Sequence, residues 1–338
     1  MNSPHLLQHL FKSTLPELGR EIFDVCILLF RLTIPIIVVV KLLEELGAIP
    51  YISAVLAPLM TLVGLPESMG VVWTTTMLTN IYAGMVIFFQ SPEAQQLSIA
   101  QVTVLSSMLL IAHSLPLELR ITQRAGVRLL FALGLRIGSA LLLGMALHYI
   151  YSAGGWLNTP VTLLWQPEMP DEESLWQWGL TQLKSLGMIV LVVSALLSLL
   201  RLLRWLHIER LMIWLLQPFL KLMGISPQAT SLTIIGVTLG LSFGGGLLIR
   251  EAESGRVSAK DCFSALCLLS LCHSIIEDTL LVLTMGADLS GVLWARLVFS
   301  VLFVSLLTRL VSRISPAIQH AYLFHDVSRI SVPSQEPR

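Results

Sequence analysis

The stretch Ala112-His113-Ser114-Leu115-Pro116-Leu117-Glu118 decides how this chain is read, and Cys272-His273-Ser274-Ile275-Ile276-Glu277-Asp278 echoes it 160 residues later. Each puts an imidazole, a hydroxyl and an acid into an otherwise apolar run. Polar groups at membrane depth are costly and mark functional sites by default. Pro116 removes a backbone donor and disfavours helix at Leu115, so the first stretch reads as a break in a helix.

The surrounding composition is that of a membrane. Of 338 residues, 55% are hydrophobic and 12% charged, against about 25% charged in soluble domains. Mean hydropathy is +0.79. Several runs approach the roughly 20 apolar residues that span a bilayer. The predicted class is all-α, a polytopic integral membrane protein embedded in lipid. Formal net charge is zero, which gives no reason to propose nucleic acid as a partner. Residues 1–20 lack the pattern of a cleavable signal. Cys26, Cys262, Cys267 and Cys272 lie in apolar segments and read as buried thiols, not a disulfide framework.

Apolar spans are expected at Phe23–Leu43, Ile99–Ala112 with its continuation, Val127–Ile150, Leu175–Leu203, Ala259–Cys272 and Leu293–Leu310. Ile49–Val63 and Ile208–Met223 are shorter and amphipathic, which suits helices in the interface. Met69–Phe89 and Pro227–Ile249 are apolar but interrupted by hydroxyls, Asn80 and glycines.

The two halves match without a gap. Lys41-Leu42-Leu43 meets Arg201-Leu202-Leu203, Pro58 meets Pro218, Gly64 meets Gly224, Gly84 meets Gly244 and Ser98 meets Ser258. His113-Ser114 meets His273-Ser274, Glu118 meets Asp278, and Arg136 meets Arg296. Helical periodicity can align leucines by chance, but not this set. The positions of Lys and Arg then set orientation. If Met69–Phe89 and Pro227–Ile249 dip in and return, each half has three true spans and the second half is inverted. Arg120, Arg124, Arg128, Arg201, Arg250, Arg309 and Arg313 then share the cytoplasmic side with both termini. If the hairpins are full spans, the halves are parallel and Arg250, Arg256, Lys260, Arg309 and Arg313 move outward. The charge pattern favours inverted repeats with re-entrant hairpins and broken helices. The expected organisation is a cytoplasmic segment 1–22, a first repeat 23–150, a periplasmic loop 151–174, a second repeat 175–313 and a cytoplasmic tail 314–338, in a bacterial inner membrane.

Broken helices free amides and carbonyls that can hold a solute. The candidate solute-binding residues are Asn80, Tyr82, His113, Ser114 and Glu118 in the first half, and Ser242, Gly244, Gly245, His273, Ser274, Glu277 and Asp278 in the second. The acids are equally expected as partners of Arg136 and Arg296, since an unpaired charge in lipid is so unfavourable. Cys267, Cys272, His273 and Glu277 offer mixed metal donors. Their counterparts include Ser107 and Ala112, which argues against a permanent zinc site and leaves a metal ion in transit. The expected resident-metal and cofactor content is none.

Gly244-Gly245-Gly246-Leu247-Leu248-Ile249-Arg250-Glu251, followed by Cys272-His273-Ser274-Ile275-Ile276-Glu277-Asp278-Thr279-Leu280, resembles the nucleoside-recognition or Gate domain family. That family includes spore maturation membrane proteins and the membrane part of ferrous iron transporter B, and is distantly similar to concentrative nucleoside transporters. The resemblance covers about residues 23–150 and 175–313. It implies two Gate repeats, each with an interfacial helix, a re-entrant hairpin and a broken helix. Leu115-Pro116-Leu117 departs from the Ile-Ile-Glu of the echo, so the two sites are not equivalent.

The functional expectation is a secondary transporter, not an enzyme, moving a small polar solute by alternating access around the two breaks. The family name points to nucleosides. No G-x-x-x-x-G-K-[ST] occurs, so uphill movement requires coupling to H+ or Na+. Two alternatives stand beside it: a metal permease subunit of the iron-transporter kind, and a membrane scaffold that transports nothing. A homo-oligomer is compatible with each.

Overall fold

A computed structural model describes residues 15–47, 49–163, 174–205 and 257–325, with isolated positions between 214 and 249. Most of the second interfacial helix and of the second hairpin, including Ser242, Gly244 and Gly245, lies outside the described residues. The described chain is helical, in the order α1 Leu15–Glu45, α2 Ile49–Leu62, α3 Met69–Leu78, α4 Ile81–Gln90, α5 Ile99–Ile111, α6 Leu115–Arg124, α7 Leu129–Gly154, α8 Leu175–Trp205, α9 Ala259–Leu271, α10 Glu277–Leu283 and α11 Ser290–Val311. Among these, α7, α11 and Leu175–Leu199 of α8 are long and apolar enough to cross a membrane, and α5 with α6 makes a fourth candidate bent by 41° at its break.

The repeat in the sequence is a repeat in the helices. The spans Leu15–Glu45 and Leu175–Trp205 begin and end at matching positions, as do Ile99–Ile111 and Ala259–Leu271. Matching residues also start the last pair. Ser98 caps α5 by accepting from the Gln101 amide, and Ser258 caps α9 by accepting from the Asp261 amide. Each cap satisfies an amide that the first turn leaves without a helical partner.

Matched helices run in opposite directions. The start of α1 meets the end of α8 through Glu17 and Arg201, 2.8 Å apart. At one end of the molecule the main chain of Ser98–Ala100 lies against Leu157–Val161, with Ile99 N donating to Thr159 O at 3.0 Å. Here α5 begins, α7 ends and α11 begins, the last two joined by Tyr151 and Ser290 hydroxyls at 2.8 Å. At the other end α9 begins beside the start of α7, with the rings of Phe131 and Phe263, and of Phe263 and Phe324, in tilted contact. There the C-terminal segment closes on the turn before α7, with Arg128 N donating to Leu323 O at 2.8 Å and His325 N to Gly126 O at 2.8 Å.

Between α3 and α4 the chain turns back at Thr79-Asn80. The two helices touch so closely at Gly84 that a Cβ there would lie 1.7 Å from Thr76 Oγ1. Glycine is therefore required for the approach. Asn80 caps α4 through Oδ1, accepting from the Ala83 amide at 2.9 Å. The core runs through α5, α7, α9 and α11. On the outer face of α11, Trp294, Val298, Leu302, Leu306 and Leu310 recur every four residues and stay exposed. That continuous apolar stripe is a surface for lipid, because soluble monomers seldom expose one so long.

Candidate functional site

Helices α5 and α9 each have 13 residues, so each is about 20 Å long at 1.5 Å per residue. They start at opposite ends of the molecule and stop inside it. A length of about 20 Å from either face of a core about 30 Å thick puts both stopping points well within the hydrocarbon. Both stops have the same construction. Ala112 and Cys272 are the C-caps, and Ser114 and Ser274 follow with φ of 48° and 46°. Left-handed backbone in a residue with a Cβ costs about 1–2 kcal/mol, and it occurs at both matched positions.

The end of a helix leaves carbonyls without amide partners. Here side chains supply the donors. Arg136 Nε donates to Ile111 O at 2.8 Å, and Arg296 Nε donates to Leu271 O at 3.0 Å, residue for residue. Arg296 Nη2 also donates to His273 O at 2.8 Å. Both arginines are fully buried, and a cation at a helix C-terminus also opposes the negative end of the helix dipole. The histidines complete the cap. His113 Nδ1 sits 3.0 Å from Leu109 O, and His273 Nδ1 sits 2.6 Å from Leu269 O. In each case the ring nitrogen takes the place that the histidine's own amide would hold in a continuing helix.

The two rings then meet. His113 Nε2 and His273 Nε2 are 3.1 Å apart, with ring centroids at 4.9 Å. Glu118 Oε1 lies 3.2 Å from each Nε2. The other oxygen of Glu118 accepts from Arg136 Nη1. Asp278 Oδ2 is 3.9 Å from His113 Nε2, too far for a hydrogen bond, and has no hydrogen-bond partner among the described residues. Asp278 occupies the position of Glu118 but is one methylene shorter, so it does not repeat the contact. Among the described residues Arg296 consequently bonds to carbonyls alone, and its Nη1 has no hydrogen-bond partner there. The expected pairing of acid with arginine therefore holds for Glu118 and Arg136; for Arg296 the hydrogen-bond partners are backbone.

The hairpins hold the breaks in place. Ser114 N donates to Thr76 O at 3.1 Å, and Ile275 N donates to Val237 O at 3.0 Å. Gly240, the counterpart of Asn80, has a φ of +94°, and a Cβ on it would lie 2.7 Å from Ser274 Oγ. Asn80 itself is extended and serves as a helix cap. Tyr82 lines an apolar cavity of about 350 Å³ between α4, α8 and α10, with Met85, Phe89, Met188 and Leu281. The four cysteines are buried and form no disulfide among the described residues, and His113, Glu118 and His273 form the one group of metal-competent side chains among the described residues. Sequence reasoning placed the two breaks, but not their meeting. The aligned His-Ser pair together with the aligned Arg136 and Arg296 was the available signal.

The chain is 28% identical over 278 residues to the uncharacterized membrane protein YvoD of Bacillus subtilis (strain 168), covering 80% of this chain and 86% of that protein. No family model matches the chain, and no solved structure matches it. This is a membrane protein, and the Gate-family resemblance rests on the motifs alone.

Proposed function

We propose that this chain is a secondary transporter of a small polar solute, working by alternating access around the two helix breaks. One observation carries the reading. Two helices entering from opposite ends stop at mid-depth and bring His113 and His273 within 3.1 Å of each other. A buried polar centre at the meeting of half-helices is the arrangement by which secondary transporters hold solutes near the midplane. Irregular backbone at that depth is tolerated where protein or a cavity shields it.

The antiparallel course of the matched helices supports the inverted reading of the repeat. So does the placement of the turns. The C-terminal segment lies against Gly126–Arg128, on the side carrying Arg120 and Arg124, while Gly286 lies against Val161 at the opposite end. Parallel halves would put both relations the other way. Under the positive-inside rule the arginine side is cytoplasmic. Glu118 and Asp278 are the groups suited to couple movement to H+ or Na+. The family resemblance makes nucleosides the first organic solutes to try.

The test is flux. Purified protein in liposomes is assayed for uptake of nucleosides, small anions and divalent cations under an imposed proton or sodium gradient. At least one class is expected to enter faster than into protein-free liposomes, and the double variant Glu118→Gln, Asp278→Asn is expected to lose that uptake while still inserting. Rates equal to protein-free liposomes across the panel would refute the proposal.

A further inference from the structure

The centre has an excess of acceptors. A backbone carbonyl can only accept, so the bonds to Leu109 O and Leu269 O place the proton of each neutral imidazole on Nδ1. Each Nε2 then presents a lone pair. Those two lone pairs face each other at 3.1 Å, and Glu118 Oε1 faces both at 3.2 Å. Three acceptors converge, and no side-chain donor among the described residues lies between them. Such a triangle is repulsive by itself and becomes favourable around a cation.

We propose that His113, His273 and Glu118 bind a divalent transition-metal cation, with Asp278 within reach as a fourth ligand. The geometry fits without rearrangement. In a triangle with these sides, an ion about 1 Å above the plane lies about 2.1 Å from all three atoms, the length of zinc–imidazole and zinc–carboxylate bonds. Tetrahedral bonds of that length also set donor atoms about 3.3–3.4 Å apart, close to the observed separations. Two imidazole donors select zinc, iron, nickel or copper over calcium and magnesium, which take oxygen. The contacts that orient metal ligands are already present. Each Nδ1 is held by a carbonyl, and Glu118 is held by Arg136.

Charge sets the strength. Glu118 and Asp278 balance Arg136 and Arg296, so a divalent ion adds its full charge to a buried centre, moderated by the neighbouring Glu277. Binding is therefore weaker than the same donors would give without the arginines, as suits an ion that must also leave. The two buried cysteines, Cys267 and Cys272, take no part.

This inference shares the helix breaks with the transport proposal and names a solute class for it, but its test is equilibrium binding. Full-length protein in detergent, stripped by a chelator, is titrated with Zn2+ and then studied by X-ray absorption at the zinc edge. The expected result is one ion per chain, bound by nitrogen and oxygen at about 2.0–2.1 Å with the scattering of two imidazoles. His113→Ala and His273→Ala are each expected to weaken binding by at least about tenfold, the scale of losing even an outer partner. Cys267→Ser with Cys272→Ser should leave it unchanged. No stoichiometric binding by the unmodified protein would overturn the proposal in favour of a proton shared by the three atoms. A sulfur shell near the ~2.3 Å of zinc–thiolate bonds would overturn it as well. Both readings use the unmodified chain, so a variant that fails to fold does not shelter the idea. Zinc binding without flux of any solute leaves the site standing and refutes transport. Flux of an organic solute without zinc binding does the reverse.

Discussion

Glu118 and Asp278 are repeat mates, yet their loss should have unequal cost. In Glu118→Gln the side chain keeps its size and loses its charge. Arg136 is fully buried, keeps its bond to Ile111 O and loses the carboxylate that balances its charge. Breaking a buried ion pair from one side costs about 3–5 kcal/mol. The glutamine oxygen still accepts from Arg136, so the expected cost is the lower end, about 3 kcal/mol, or a factor of about 150 in the unfolding equilibrium. In Asp278→Asn the lost oxygen Oδ2 has no hydrogen bond among the described residues, and the charge removed adjoins Glu277. With no such bond to lose, the cost should stay below about 1.5 kcal/mol, the ceiling for an ordinary one. The assay is unfolding of the purified variants in mixed micelles with a denaturing detergent, followed by far-UV circular dichroism. A cost for Asp278→Asn equal to or above that for Glu118→Gln would refute the claim that one methylene separates the two halves.

Other consequences follow from single contacts. Ser114→Gly should be neutral or stabilise by up to about 1 kcal/mol, because glycine takes the left-handed conformation without the Cβ penalty, whereas Ser114→Val should destabilise; thermal unfolding of the two variants gives the order. Gly84→Ala places a Cβ into Thr76 Oγ1, so it should loosen the α3–α4 hairpin, and adding Thr76→Ala should recover part of the loss in a double-mutant cycle. A cysteine at Asn158 should react with an impermeant thiol reagent from the outside of the cell and one at Arg313 should not, in a background where the native cysteines are replaced; labelling of both from one side would contradict the inverted arrangement. Asp278→Glu should reach further towards Arg296 and His113 and strengthen zinc binding, read by the same titration.

Much of this architecture was legible because the repeat is gapless. Once His113 aligned with His273, the ends of α5 and α9 and the caps Ser98 and Ser258 followed from one offset. Pro116 marked the first break, although the second has Ile276 there and breaks in the same way. The proline is therefore not the cause. The common elements are the left-handed serine and the arginine that takes the orphan carbonyls, and neither conformation nor cross-helix reach is written in local pattern. The cavity that Tyr82 lines was likewise not written in local pattern, since it depends on how the helix after the turn at Asn80 packs against α8. The convergence of the two rings depends on how helices far apart in sequence pack together, which no local pattern carries.

The departure from symmetry bears on how such a centre works. In the first half, α6 is tied to α7 by the Glu118–Arg136 pair, and the same carboxylate touches both histidines. In the second half Arg296 holds only the end of α9 and the His273 carbonyl. Its charge therefore anchors the incoming helix and not α10. The upstream half-helices are fixed alike in both repeats, while the downstream half-helices are held unequally. A change in the centre's charge, by proton or metal, would act first on Glu118, because among the described residues that side chain joins both histidine rings to an arginine. Neutralising it would weaken the tie of α6 to α7 while the caps at Ile111 and Leu271 keep their own bonds. The polar centre can thus alter the packing of one half-helix while the buried arginines preserve the two breaks that form it.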